Sequence, residues 1–247
     1  MLERDRATVA ACLVAVIALA WGWLWQQAGM EMPAGMPMPA GMTMAPPLPY
    51  LFAMWWIMMV AMMLPSAAPM ILLFATLHGK QRAQGKPYVP TAVFAATYLV
   101  IWGVFSAVAA GLQWWIEARI EPVMASGLSS AKLSGALLLA AGIYQFTPLK
   151  NACLRYCQTP LQFVLTRWRP GLRGALKMGL EHGGYCVGCC WLLMGLLFVG
   201  GVMNMQWVIG IALYVLVEKL LPAWPWLPGV IGAALAAAGI WLIFAAA

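Results

Sequence analysis

The sequence predicts an all-α, polytopic bundle of transmembrane helices, with about seven spans in a single membrane domain over residues 1–247. Hydrophobic residues make up 64% of the chain and charged residues only 9%. Soluble domains carry about 25% charged residues, so this composition is typical of a membrane protein. Several apolar runs also approach or exceed the ~20 residues that a helix needs to cross a bilayer. The lipid bilayer is therefore the first predicted partner.

The apolar runs define the spans in chain order. The first lacks an A-x-A-like cleavage site, so we interpret it as a helix rather than a signal peptide, with a tryptophan belt at its far end. Pro65 and Pro69 are expected to kink the second span, and Pro222, Pro225 and Pro228 separate the last two. The predicted spans are residues 8–25, 50–78, 89–115, 131–147, 180–202, 207–220 and 226–244.

Two segments lie between these spans. Residues 161–177 are basic and amphipathic, which predicts a segment that lies at the membrane surface. Residues 28–45 contain three tandem hexads, AGMEMP, AGMPMP and AGMTMA, in which glycine and proline favour a flexible loop. Paired thioethers in this loop predict a weak Cu(I) or Ag(I) collecting arm, although a linker with incidental methionines is the alternative. Its candidate ligands are Met36, Met38, Met42 and Met44.

The distribution of basic residues predicts the orientation. If the N-terminus is cytoplasmic, Arg119 and Lys132 alone of the 14 Lys and Arg residues fall outside. This is a positive-inside pattern for the inner (cytoplasmic) membrane, and it places residues 28–45 in the extracytoplasmic space. The net charge of +7 therefore reports topology and lipid contact, and no nucleic-acid partner is expected.

The densest chemistry lies in HGGYCVGCCWLLM, from His182 to Met194. On a helix, His182, Cys186, Cys189 and Cys190 fall on or near one face, and Met194 lies one turn further on. Thiolate, thioether and imidazole are ligands that Cu(I) prefers, with zinc as a less favoured competitor. The sequence therefore predicts a metal site here, against the alternative that buried cysteines merely pack.

Further sulfur residues are weaker candidates. Met54, Met58 and Met62 form a stripe at four-residue spacing before the prolines, and Met63 follows directly. Cys153 and Cys157 share one helical face further along the chain. Together with the methionine-rich loop, they suggest a path of thioethers leading to thiolates. The pattern does not set the direction of metal movement.

Three motifs carry a resemblance to a known family. They are WIMMVAMMLPSAAPM (Trp56 to Met70), YQFTPLKNACLRYC (Tyr144 to Cys157) and the motif from His182 to Met194, which GVMN follows. The chain resembles the bacterial family of predicted metal-binding integral membrane proteins, long a domain of unknown function, which includes a membrane copper chaperone serving tyrosinase. The resemblance covers the motif-bearing core, residues 50–220. It implies copper delivery, with these ligands: Met62, Met63, His182, Cys186, Cys189, Cys190 and Met194.

The resulting hypothesis is a non-enzymatic copper-binding protein that handles Cu(I) for a cuproenzyme client or for transfer across the membrane. One alternative is a structural accessory subunit of a larger membrane complex. Another is a membrane thiol redox protein, although no cysteine pair is expected on the outer face to pass oxidising equivalents. The seven acidic residues lie mostly in termini and loops, which argues against a hydrolase.

Overall fold

The computed structural model describes residues 2–29, 46–84, 89–119, 127–128, 130–221 and 224–245. Within these ranges the regular structure is entirely helical, as predicted. The methionine-rich residues 30–45 lie outside the described part, so Met36, Met38, Met42 and Met44 have no structural account. The helices are α1 Leu2–Gly29, α2 Leu48–Ala83, α3 Thr91–Arg119, α4 Ala131–Tyr144, α5 Pro148–Gln158, α6 Pro160–Arg167, α7 Gly171–Gly195, α8 Leu197–Gly200, α9 Met205–Leu220 and α10 Leu227–Ala245.

Five stretches of the described chain are long and apolar enough to cross a membrane. They are α1, α2, α3, α10 and the continuous stretch of α7 and α8. The other two predicted spans fall on α4 and α9, which have 14 and 16 residues. Both are shorter than the ~20 residues that span a bilayer unaided.

Helix α2 runs through both of its prolines as one helix of 36 residues. Pro65 has no backbone N–H, so it leaves the carbonyl of Ala61 without its helical donor. The Trp21 indole N–H of α1 donates to that carbonyl at 3.1 Å. Two side chains, Ser66 Oγ and Tyr98 OH, also donate to the nearby Met63 carbonyl, at 2.9 and 3.3 Å. Neighbouring side chains thus satisfy the backbone around the proline.

The basic segment of residues 161–177 is not one continuous helix. The segment is divided between α6 and the first two turns of α7. Pro170 is the reason, because it disfavours helical geometry at the residue before it. Gly171 then adopts φ +75°, a left-handed conformation that glycine tolerates without strain. Helix α7 therefore begins nine residues before the predicted span.

Helix α7 occupies the centre of the part that bears the motifs. It packs against α3 along its first half and against α5 along its middle, and α2 packs against α3 and α9. Gly179 and Gly183 bring α7 close to α3, since an added Cβ at either would press on Thr97 or Ile101. Helices α4 and α10 form a separate close pair through glycines on both helices. The site is therefore framed by α2, α3, α5, α7 and α9.

Candidate metal centre

The motif residues of α7 all lie inside the protein. His182 and Cys186 are 2% exposed, and Cys189, Cys190 and Met194 are fully buried. The spacing of three and four residues places them on the inward face of the helix, as expected for neighbours on a helical surface. The face is buried against protein, which removes bulk water from around the thiols.

Two further helices bring sulfur atoms to this face. Cys190 Sγ lies 3.9 Å from Met63 Sδ of α2. Cys157 of α5 is buried at 7% exposure and interacts electrostatically with Cys186 and Cys189 of α7. Cys190 interacts electrostatically with both of these cysteines as well. We call Met63, Cys157, Cys186, Cys189 and Cys190 the sulfur cluster.

A lysine penetrates the sulfur cluster. Lys219 of α9 is 2% exposed, and its Nζ lies 2.9 Å from Cys186 Sγ and 3.9 Å from Met63 Sδ. It also donates to Ser66 Oγ at 3.4 Å. The hydroxyl of Tyr98 lies 3.1 Å from the same Cys186 sulfur. Hydrogen bonds from charged groups are stronger than neutral ones, so this setting favours a thiolate at Cys186.

The thiols are turned along the helix rather than toward one common point. Cys189 Sγ and Cys190 Sγ both donate to the Cys186 carbonyl, at 3.1 and 3.0 Å. Within the described residues, no three His, Cys, Asp or Glu side chains are arranged to hold a metal ion together. Cys190 Sγ and Met63 Sδ nevertheless lie 3.9 Å apart. Rotation about χ1 of a cysteine is the movement that would bring a further sulfur to the same ion.

The spacing of two sulfurs already suits a soft ion. Two sulfur ligands at about 2.3 Å from a metal, in trigonal geometry, lie about 4 Å apart. The 3.9 Å between Cys190 Sγ and Met63 Sδ matches that separation. Thiolate and thioether together are the ligand types that select Cu(I). The spacing and the ligand types of this pair therefore fit a soft monovalent ion such as Cu(I).

His182 lies one turn before Cys186, in an aromatic setting. Its ring centroid is 5.4 Å from that of Phe163, 5.7 Å from that of Tyr98 and 6.0 Å from that of Phe94. The Nδ1 atom is buried and has no hydrogen-bond partner. An unpartnered ring nitrogen beside buried thiols is available either to a metal or to a proton.

The predicted methionines separate into different environments. Met54, Met58 and Met62 are buried, as is Met63. Met62, however, lines a cavity of about 210 Å³ together with Trp21 of α1 and residues of α9. Of the two adjacent methionines, Met63 is the one whose sulfur lies beside a cysteine of α7, Cys190.

The two cysteines of α5 also separate. Cys157 joins the sulfur cluster, whereas Cys153 packs on α7 at Gly188, where an added Cβ would lie 2.8 Å from its Sγ. The hydroxyl of Tyr144 donates to the Gly188 carbonyl at 2.5 Å. Gly188 is therefore the point at which α4 and α5 both approach the motif helix.

None of the charged residues of this region was among the site residues predicted from the sequence. The Oε1 atom of Glu218 accepts from Lys150 Nζ at 2.5 Å and from Tyr214 OH at 2.8 Å. The Lys150–Glu218 pair is buried at both ends. The positive-inside pattern assigns Lys150 and Lys219 to the cytoplasmic side, and the structure shows that both are buried. The rule that an ionisable residue within a span is functional by default would have singled out Lys219.

The part of the chain that contains this site matches a known protein family. A family model described as a copper chaperone, PpoB2, matches residues 52–242, from α2 almost to the end of α10. No curated protein matches the chain, and no solved structure does. The matched region includes every residue of the sulfur cluster and confirms the family indicated by the three sequence motifs. The chain belongs to the PpoB2 copper chaperone family.

Proposed function

We propose that this protein binds Cu(I) in the buried sulfur cluster and hands it to a cuproenzyme client. Membership of a copper chaperone family supports a copper-handling, non-catalytic accessory role. The observation that carries the proposal is the meeting of Met63, Cys157 and the three α7 cysteines from three helices at one buried place. Transfer of copper across the inner membrane would use the same residues.

The geometry favours Cu(I) over zinc. Structural zinc sites are almost always four-coordinate and tetrahedral. The described residues offer no such ready set of His, Cys, Asp and Glu ligands, but they do offer sulfur pairs. Cu(I) selects thiolate and thioether ligands, so a pair or trio of cluster sulfurs suits it better. His182 and Met194, buried on the same helix, are the additional ligands that we propose.

A methionine route to the cluster completes the proposal. With the N-terminus cytoplasmic and seven crossings, the methionine-rich residues 28–45 are extracytoplasmic. Met54, Met58 and Met62 then descend along α2 toward Met63, and all four are buried within the protein. Thioethers bind Cu(I) weakly and exchangeably, whereas thiolates bind it tightly, so the cluster is the high-affinity end of the route.

The test is the copper content of the purified protein, loaded under reducing conditions. The unchanged protein is expected to hold Cu(I), and a variant with Cys186, Cys189 and Cys190 all replaced by Ser is expected to lose it. The matched control is Cys12→Ser, because Cys12 is exposed on α1 and away from the cluster. Full copper occupancy in the triple variant would show that the cluster is not the site.

Co-purification distinguishes this function from the structural alternative. A protein that carries no metal and always appears with a partner at fixed stoichiometry would be a structural subunit of a larger complex. Copper bound by the isolated chain supports the proposal instead.

A further inference from the structure

Lys219 places a positive charge inside the sulfur cluster. Its Nζ lies 2.9 Å from Cys186 Sγ, 3.9 Å from Met63 Sδ and 3.4 Å from Ser66 Oγ. Two of these three neighbours are the sulfur atoms proposed to bind the metal. With 2% of its surface exposed, Lys219 has almost no access to solvent.

No carboxylate in the described part of the chain neutralises this lysine. The adjacent Glu218 directs Oε1 to Lys150 and Tyr214. The other ion pair among the described residues, Arg169–Glu181, is partly exposed and does not include Lys219. The groups facing Lys219 from α2 and α7 are a hydroxyl, a thioether and a thiol. The cysteines are therefore the groups that can compensate its charge.

We propose that Lys219 is a specificity-determining residue that restricts the sulfur cluster to monovalent soft ions. This inference rests on the proposed function and names the class of ion that the site accepts. In a site made of two cysteine thiolates and the neutral Met63 thioether, the two thiolates, the Lys219 ammonium and one monovalent ion sum to zero charge. The same groups with a divalent ion leave one uncompensated positive charge, which is costly in a buried, apolar setting. Repulsion between the ammonium and the ion is also greater for the divalent ion.

Silver(I) and cadmium(II) make the matched probes. Both are soft, redox-inert ions that bind thiolates, and they have the same number of electrons but differ by one unit of charge. The experiment measures both affinities by chelator competition on the purified full chain in detergent. The variants are Lys219→Met, which removes the charge and keeps the length, and Lys219→Arg, which keeps the charge. Lys219→Gln provides a second neutral variant if the methionine variant fails to fold.

The unchanged protein is expected to prefer Ag(I). Loss of the charge should reduce the ratio of Ag(I) to Cd(II) affinity by at least about tenfold, mostly through tighter Cd(II) binding. Lys219→Arg should keep the preference. An unchanged ratio in both neutral variants would overturn the role of Lys219 and leave the proposed function intact. Equal affinity for the two ions in the unchanged protein would overturn it as well.

Cu(I) binding by the same samples separates the two proposals. If the unchanged protein binds neither Cu(I) nor Ag(I), the proposed function fails and the inference about Lys219 fails with it. If it binds Cu(I) and the ratio does not respond to Lys219, the selectivity inference alone fails.

Discussion

Among the single residues of the site, Cys186 has a sulfur atom with two close polar neighbours. The ammonium of Lys219 and the hydroxyl of Tyr98 both lie within about 3 Å of it, at 2.9 and 3.1 Å. A nearby cation favours the thiolate, which is the form that binds metal. Tyr98 also donates to the Met63 carbonyl, so one side chain contacts both the Cys186 thiol and the backbone of Met63.

The adjacent methionines of α2 provide a matched test. Met63→Leu removes the sulfur that lies 3.9 Å from Cys190 Sγ and is expected to weaken Cu(I) binding by about tenfold or more, because a ligand is lost. Met62→Leu should leave the affinity nearly unchanged, since Met62 faces the cavity beside Trp21. Both swaps conserve volume and should cost less than about 1.5 kcal/mol of stability. Competition with a Cu(I) chelator measures the affinity of both variants. A larger loss of Cu(I) affinity in Met62→Leu than in Met63→Leu would refute the proposal that Met63 is the ligand.

The residues of the site differ in how far the sequence could predict them. The shared buried face of His182 and the three α7 cysteines was predictable, because helical spacing alone puts them on one side of the helix. The choice of Cys157 over Cys153, and of Met63 over Met62, was not, because it depends on how α5 and α2 are rotated against α7. Lys219 was missed because a count of basic residues treats each lysine as exposed.

At the scale of elements, the site depends on how closely α5 and α9 approach their neighbours. Gly188 allows α5 to lie against α7, with Cys153 Sγ 2.8 Å from where a Cβ would stand. The buried Lys150–Glu218 pair links α5 to α9. These two contacts fix the helices that carry Cys157 and Lys219 into the sulfur cluster.

The Gly188 contact predicts a steric rescue. Gly188→Ala is expected to destabilise the protein by about 1–3 kcal/mol, because an added methyl overfills the space held by Cys153. Cys153→Ala in the same chain should restore most of the loss. Gly184→Ala is the control, since an added Cβ there meets nothing within 4 Å. Thermal unfolding in detergent measures all three, and equal effects at both glycines would contradict the predicted close contact.

The buried ion pair predicts a double-mutant rescue. Lys150→Met leaves the Glu218 carboxylate buried without its cation, which typically costs about 3–5 kcal/mol. Replacing both residues, as Lys150→Met with Glu218→Leu, should recover most of that loss, because apolar side chains of similar size substitute well for a buried pair. Apparent melting temperatures in detergent test this. Additive losses in the double variant would show that the pair is not coupled.

At the scale of the whole molecule, the question is how often the chain crosses the bilayer. Sequence predicted the helical class and the family, because both depend on composition and local motifs. It could not settle the number of spans, because α4 is about 21 Å long at 1.5 Å per residue. That is less than the ~30 Å hydrocarbon core. Whether so short a helix crosses depends on its packing against α10, which sequence does not specify.

The side of the membrane on which the two ends of this region lie tests whether α4 crosses the bilayer. Lys132 lies in the first turn of α4 and Gln162 lies in α6, and both are exposed. If α4 spans the membrane, a Lys132→Cys variant reacts with an impermeant maleimide from outside and a Gln162→Cys variant reacts only from the cytoplasmic side. Both variants are made in a chain in which the exposed Cys12 is replaced by Ser, and that chain alone gives the background of maleimide labelling. Labelling of both positions from the same side would mean that α4 does not cross.

X-ray absorption at the copper edge shows directly whether the sulfur atoms of the cluster bind Cu(I). The Cu(I)-loaded protein is expected to show a first shell of two or three sulfur atoms at about 2.2–2.3 Å. Replacing Cys186, Cys189 and Cys190 by Ser should abolish that shell. A first shell made of nitrogen and oxygen, or a sulfur shell that survives in the triple variant, would contradict the account.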